Sequence, residues 1–287
     1  MLLAFSLQNN KHNKEFVMLN KSFLRIVCII SVLTGNVWAL SAGVYGAIIG
    51  ASTKGHLCDS ETCKESARIG LGGFYMPTKE LDSQSYGGYL AIDGALNFGT
   101  QRRFLFGIEA NLGGGRAESK NTTYTFAPDN RTAIIMEIRP KFGFNFTSQN
   151  APLFLSIVYT ADLHQTTNTK DTKGYNRMLN QVGVELEGAL PTQSGFTIEY
   201  ALGYDYLFAG NYKFGEVSGN STINNGYTLR ASLGFSHKLT ENTLYYLRVI
   251  GKYYNLSHSK PLDSNGVNLS MPATQNYTGM VEFGIGF

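Results

Sequence analysis

The sequence predicts an all-β fold: a transmembrane, antiparallel, up-and-down β-barrel of about ten strands, within bounds of about eight to twelve. Three observations predict it. Apolar and polar residues alternate in segment after segment from Tyr86 to Phe287. Where one segment carries several charges, they share a parity and oppose the apolar residues, as in Glu137/Arg139/Lys141 and Glu199/Asp205. The connections alternate between short and long. A strand sends successive side chains to opposite faces, so such a segment has one apolar and one polar face.

Composition narrows the class. The 287 residues are 43% hydrophobic but only 16% charged, with 32 Gly, 17 Tyr and 18 Phe. Low charge with abundant glycine and aromatics is unusual for a soluble domain. No long apolar stretch follows the first forty residues, which argues against helical membrane spans. The formal charge of +3 has a local origin. Lys11, Lys14, Lys21 and Arg25 against Glu15 lie in residues 1–39, so 24 basic and 21 acidic residues become 20 and 20 without that segment. Nothing basic remains to attract nucleic acid.

Residues 1–39 read as a leader. Lys21 and Arg25 precede an apolar run from Ile26 to Leu33, Thr34 to Asn36 break it, and Val37-Trp38-Ala39 places small residues at a cleavage site after Ala39. Met18 starts a leader of ordinary length and is the expected start of translation. Cys58 and Cys63 are the cysteines left in residues 40–287. Export favours a disulfide between them, which would close a short loop and contribute about 2 kcal/mol. The competing reading is a metal site with His56 and Asp59, but a zinc site normally offers four well-spaced ligands. No metal and no cofactor is expected.

Two segments compete for the first strand, Ala42 to Ala51 and Ala67 to Met76. If Ala67 to Met76 starts the barrel, the preceding segment plugs or caps the lumen. The later strands are plainer. Leu90 to Phe98, Phe104 to Leu112, Ile134 to Phe146 and Leu153 to Ala161 alternate, then Val182 to Leu190, Phe196 to Phe208, Tyr227 to Leu239 and Tyr245 to Tyr253. Pro140 interrupts one of them and predicts a bulge, because proline gives no ladder donor. Short turns fall at residues 99–102, 148–150, 191–194 and 240–242, and longer polar loops near 113–130, 164–176, 210–225 and 257–275.

The last strand, Asn276 to Phe287, puts Tyr277, Val281, Phe283, Ile285 and Phe287 on one face and ends on an aromatic residue. It resembles the closing strand of bacterial outer-membrane β-barrels. Leader, aromatic strands, moderate loops and terminal Phe together resemble the small Helicobacter-type outer-membrane proteins. The resemblance implies outer-membrane location and lipid contact, with recognition of the last strand by the barrel-assembly machinery. It puts Phe287 at the periplasmic end, where the short turns also lie, and leaves a porin or adhesin role open.

A charge facing lipid at the midplane costs about 2–4 kcal/mol, whereas one facing the lumen does not. The charged parity is therefore assigned to the lumen: Asp93, Glu109, Glu137, Arg139, Lys141, Glu185, Glu187, Glu199, Asp205, Arg230, Arg248, Lys252 and Glu282. Both signs occur in similar number, so a lumen closed by paired charges is expected over a narrow pore, which single-sign rings would have favoured. Asp162 and His164 resemble half of the acid/histidine site of omptin-like barrel proteases. The other half, a close acidic pair on a different strand, has no match in the sequence, and no catalytic residue is assigned. The polar loops are the expected working surface, on which binding usually resides; the sequence names no ligand.

Overall fold

The computed structural model describes residues 64–119, 131–167, 174–215, 217–240, 242–264 and 267–287. Residues 1–39, expected as a leader, together with Ala42 to Ala51, His56, Cys58, Asp59 and Cys63, lie outside them. Thirteen strands occur in the described residues: β1 (Lys64–Thr78), β2 (Ser83–Phe98), β3 (Phe104–Ser119), β4 (Arg131–Asn145), β5 (Leu153–Thr166), β6 (Tyr175–Pro191), β7 (Phe196–Phe214), β8 (Ser221–Ile223), β9 (Gly226–Lys238), β10 (Leu244–Leu256), β11 (Leu262–Ser264), β12 (Val267–Leu269) and β13 (Thr274–Gly286). Ten of them form a closed antiparallel barrel, in the order β1-β2-β3-β4-β5-β6-β7-β9-β10-β13 and back to β1. β8 extends β7 beyond the barrel, and β11–β12 is a separate hairpin.

Closure identifies the first barrel strand as the segment around Ala67 to Met76. β1 pairs with β13 through Leu71↔Phe283 and Gly73↔Val281, and Ala67 and Phe287 exchange backbone hydrogen bonds of 3.1 and 2.8 Å. Phe287 thus lies at the end where the short turns lie. The long connections lie at the other end, together with the short 3-10 turn Lys79–Leu81.

The facing of side chains follows the parity of the sequence. Leu71, Phe142, Ile157, Leu202, Leu233, Val249 and Phe283 point outward, as do Tyr277, Val281, Ile285 and Phe287. The outward aromatics group by end. Phe98, Phe104, Phe142 and Phe144 stack at the short-turn end, with centroids 5.6–6.4 Å apart. Tyr204, Tyr227, Tyr253 and Tyr277 form a ladder toward the loop end, with centroids 5.0–6.2 Å apart. An apolar band flanked by aromatic girdles is the outer surface of a membrane barrel.

The structure corrects the sequence reading in three places. Pro140 makes no bulge. Its pairing with Ile108 is in register, and the β4–β5 ladder merely skips the rungs at Arg139 and Pro140 before resuming at Lys141↔Val158. The bulge lies instead in β7, where Asn180 pairs with Ala209 but Gln181 with Leu207, leaving Phe208 extra. One extra residue reverses the facing of everything after it. Tyr212 and Phe214, which would have continued the outward parity of Tyr204 and Tyr206, are turned inside and buried. The strands also run further toward the loops than the alternation suggested, β3 to Ser119 and β7 to Phe214. Glycines permit this in β3: Gly115 lies against Gly87, where a Cβ would stand 1.9 Å from the Tyr86 carbonyl oxygen.

Candidate functional site

The inside of the barrel has two layers, a belt of charges and an apolar cap at the loop end. Every charge assigned to the lumen from sequence points there. Three further groups belong with them: Arg68, Arg131 and Arg177. Arg68 sits on the parity opposite Ile69 and Leu71, and Arg177 continues the Glu185, Gln181 parity backward. Both signals become readable only once the strand bounds are known.

Strand order shows that many of these ion pairs span the lumen. Lys252 on β10 bonds Glu137 on β4, five strands away in a ring of ten and therefore on the opposite wall. Arg230 on β9 reaches Glu109 on β3 at 2.9 Å and Glu137 at 3.1 Å. Arg68 on β1 grips Glu199 on β7 in a two-point fork at 2.5 and 2.6 Å, and Ser236 donates to the same carboxylate at 2.7 Å. Arg248 joins Glu282 and Asp93. Arg139 donates to Glu109 at 3.1 Å, to Glu185 at 2.9 Å and to Thr160 at 3.2 Å. Lys141 meets Glu109, Glu185 and Glu187. Charges taken out of water persist only when paired and hydrogen-bonded in this way. Two tyrosines pack over glycines of the wall. The Tyr89 ring occupies the place of a Cβ on Gly72, and Tyr246 covers Gly70 and Gly284.

Above the belt lies the cap. Leu179, Leu207, Tyr175, Tyr212, Phe214, Tyr254 and Leu256 point in from the walls, and Leu81, Ile223 and Met271 come down from the connections. Hydrogen bonds hold those connections together. Ser221 donates to Ser259 at 2.7 Å, Ser259 accepts from the Met271 amide at 2.7 Å, and the Lys260 amide donates to the Thr222 carbonyl at 2.8 Å. The charges come from the regular strands; the cap adds to Tyr175, Leu179, Leu207, Tyr254 and Leu256 of those strands the residues turned in by the β7 bulge and those of the connections.

Asp162 and His164 lie beneath this cap. Asp162 accepts from Arg177 at 2.8 Å and from the Tyr254 hydroxyl at 2.7 Å, and His164 Nδ1 meets the Tyr175 hydroxyl at 3.0 Å. Both side chains are buried and engaged in structural bonds. Among the described residues, no group of three or more His, Cys, Asp or Glu is placed to hold a metal ion.

A closed antiparallel ring of ten strands with an apolar exterior and a charged interior decides the comparison. The fold is that of the bacterial outer-membrane β-barrels. The outer membrane protease OmpT of Escherichia coli superposes with a TM-score of 0.52 at 12% identity, over 78% of this chain and 96% of that one. The translocator domain of the autotransporter NalP from Neisseria meningitidis gives 0.41 at 12% identity, over 87% and 95%. An outer membrane channel from Pseudomonas putida gives 0.37 at 10% identity, over 77% and 96%. At these identities the likeness is one of fold. No family model matches the chain, and no curated protein matches it.

Proposed function

We propose that this chain is an integral protein of the bacterial outer membrane, closed to solute passage, whose extracellular loops serve an envelope-structural or surface-binding role. The observation that carries this reading is the set of ion pairs spanning the lumen beneath an apolar cap. A ten-stranded barrel lies close in size to the eight-stranded barrels that side chains fill. Here the filling charges are paired by sign instead of forming the single-sign rings of a selective channel. The exterior supports the membrane location: its apolar belt suits lipid, and its girdles suit the two interfaces.

In this reading the loop end faces outward, Phe287 lies at the periplasmic face, and β13 is the strand offered to the barrel-assembly machinery. The protein is not an enzyme and carries no cofactor. The resemblance to small Helicobacter-type outer-membrane proteins fits an envelope location and leaves a porin or adhesin role open. An epitope tag inserted after Asn224, an exposed residue between β8 and β9, tests it. The tag is expected to bind antibody on intact cells. A tag reached only after the outer membrane is broken would reject the assigned orientation.

A further inference from the structure

Between the belt and the cap lies a cavity of about 30 Å³. It exceeds the roughly 10–15 Å³ that one water needs and is too small for an organic solute. Four of the residues lining it carry a buried polar atom with no protein partner: Asn111 Oδ1, His164 Nε2, Arg177 Nε and Thr278 Oγ1. These residues come from β3, β5, β6 and β13; His164 and Arg177 face each other on the β5–β6 ladder, while Asn111 and Thr278 belong to other parts of the wall.

The bonds these side chains already make define what the cavity lacks. Asn111 gives its amide Nδ2 to Glu137, so its Oδ1 remains as an acceptor. Arg177 uses Nη2 on Asp162, and its Nε–H remains as a donor. His164 Nδ1 shares a hydrogen bond with the Tyr175 hydroxyl, so Nε2 of the neutral ring is a donor in one tautomer and an acceptor in the other. The Thr278 hydroxyl takes either role. The site therefore asks for a partner with both protons and lone pairs. An anion has no proton for Asn111. A cation meets Arg177 and Lys252, whose charges Asp162 and Glu137 already balance.

We propose that this cavity is a built site for a buried water, which joins β3, β5, β6 and β13 from within. Water supplies two protons and two lone pairs, matching the Arg177 donor and the Asn111 acceptor, with His164 Nε2 and the Thr278 hydroxyl in complementary roles. Buried polar groups are satisfied by protein or by ordered water, and the four polar atoms are what would hold a water in a cavity whose other lining includes the apolar Phe74, Met76, Ile135 and Met280.

The test uses crystals of the refolded full chain grown in bromide. The expected result is a density peak within hydrogen-bond reach of the four atoms, with no anomalous signal. A bromide peak would make this an anion site, and featureless density would leave it dry; either result overturns the proposal. Deuteron relaxation dispersion on the micellar protein gives an independent reading. Asn111→Leu removes the acceptor and fills the space, and is expected to lower the number of long-lived internal waters by about one. Thr278→Ser keeps the hydroxyl and is expected to keep that number. If Asn111→Leu does not fold, Thr278→Val makes the same comparison. An unchanged number in the folded variant contradicts the proposal.

Discussion

Arg139→Ala should lower the stability of the folded barrel by about 3–5 kcal/mol, the usual cost of removing one partner from a buried ion pair. The Arg139 side chain is only 1% exposed and sits where three carboxylates converge, Glu109, Glu185 and Asp205. The surrounding network sets Glu109, Glu137, Glu185, Glu187 and Asp205 against Arg139, Lys141, Arg230 and Lys252, one carboxylate in excess. Arg139→Ala raises that excess to two in a region sheltered from water. Thr160 also loses the guanidinium that donates to it. Arg139→Lys keeps the charge but not the planar fork, so its cost should be smaller. Urea titration of the two variants refolded in the same lipid checks both statements. Equal stability of wild type and Arg139→Ala would mean that the belt is hydrated and the pairs contribute little.

The second large effect concerns the opposite face. Val249 lies near the middle of β10, 51% exposed, next in sequence to the inward Arg248. Val249→Arg places a cation in the apolar belt and should cost about 2–4 kcal/mol, as for a basic residue at the bilayer midplane. Arg at the adjacent position 248 is native and satisfied by Asp93 and Glu282. The contrast between neighbouring residues separates a membrane barrel from a water-soluble one, in which an arginine at an exposed position would be nearly neutral. The same urea titration, with Val249→Thr as a polar, uncharged control, measures it. A Val249→Arg variant as stable as wild type would count against lipid at that face.

These two positions also show what was legible in the sequence. Arg139 and Val249 could be assigned to opposite faces from alternation alone, because lipid excludes charge from one parity along the whole membrane-spanning part of a strand. Counting the alternating segments set the number of strands at about ten, and the alternation of short turns and long loops set the direction of Phe287. The exclusion of charge by lipid fades where strands leave the apolar belt. Gly113 to Gly115 carry no facing information, so the end of β3 read as loop although it pairs with β2. The bulge at Phe208 had no composition signal. Tyr212 and Phe214 fit the outward parity of Tyr204 and Tyr206, and only the pairing of β7 with β6 turns them inward. The apolar cap was illegible for that reason, and because Leu81, Ile223 and Met271 reach it from segments between the barrel strands. Arg68 was hidden by the competition between two candidate first strands, which sequence could not decide because the closing partner of β13 is fixed by pairing across the whole chain.

The central claim is that this barrel is closed, and planar-bilayer conductance of the refolded chain tests it most directly. The lumen is bridged by Lys252–Glu137, Arg230–Glu109 and Arg68–Glu199 and covered by Leu207, Phe214 and Met271. The expected record is a flat baseline after insertion has been verified by heat-modifiable gel mobility. Steady unitary current steps from protein inserted in the same way would contradict the account and identify a narrow diffusion pore instead.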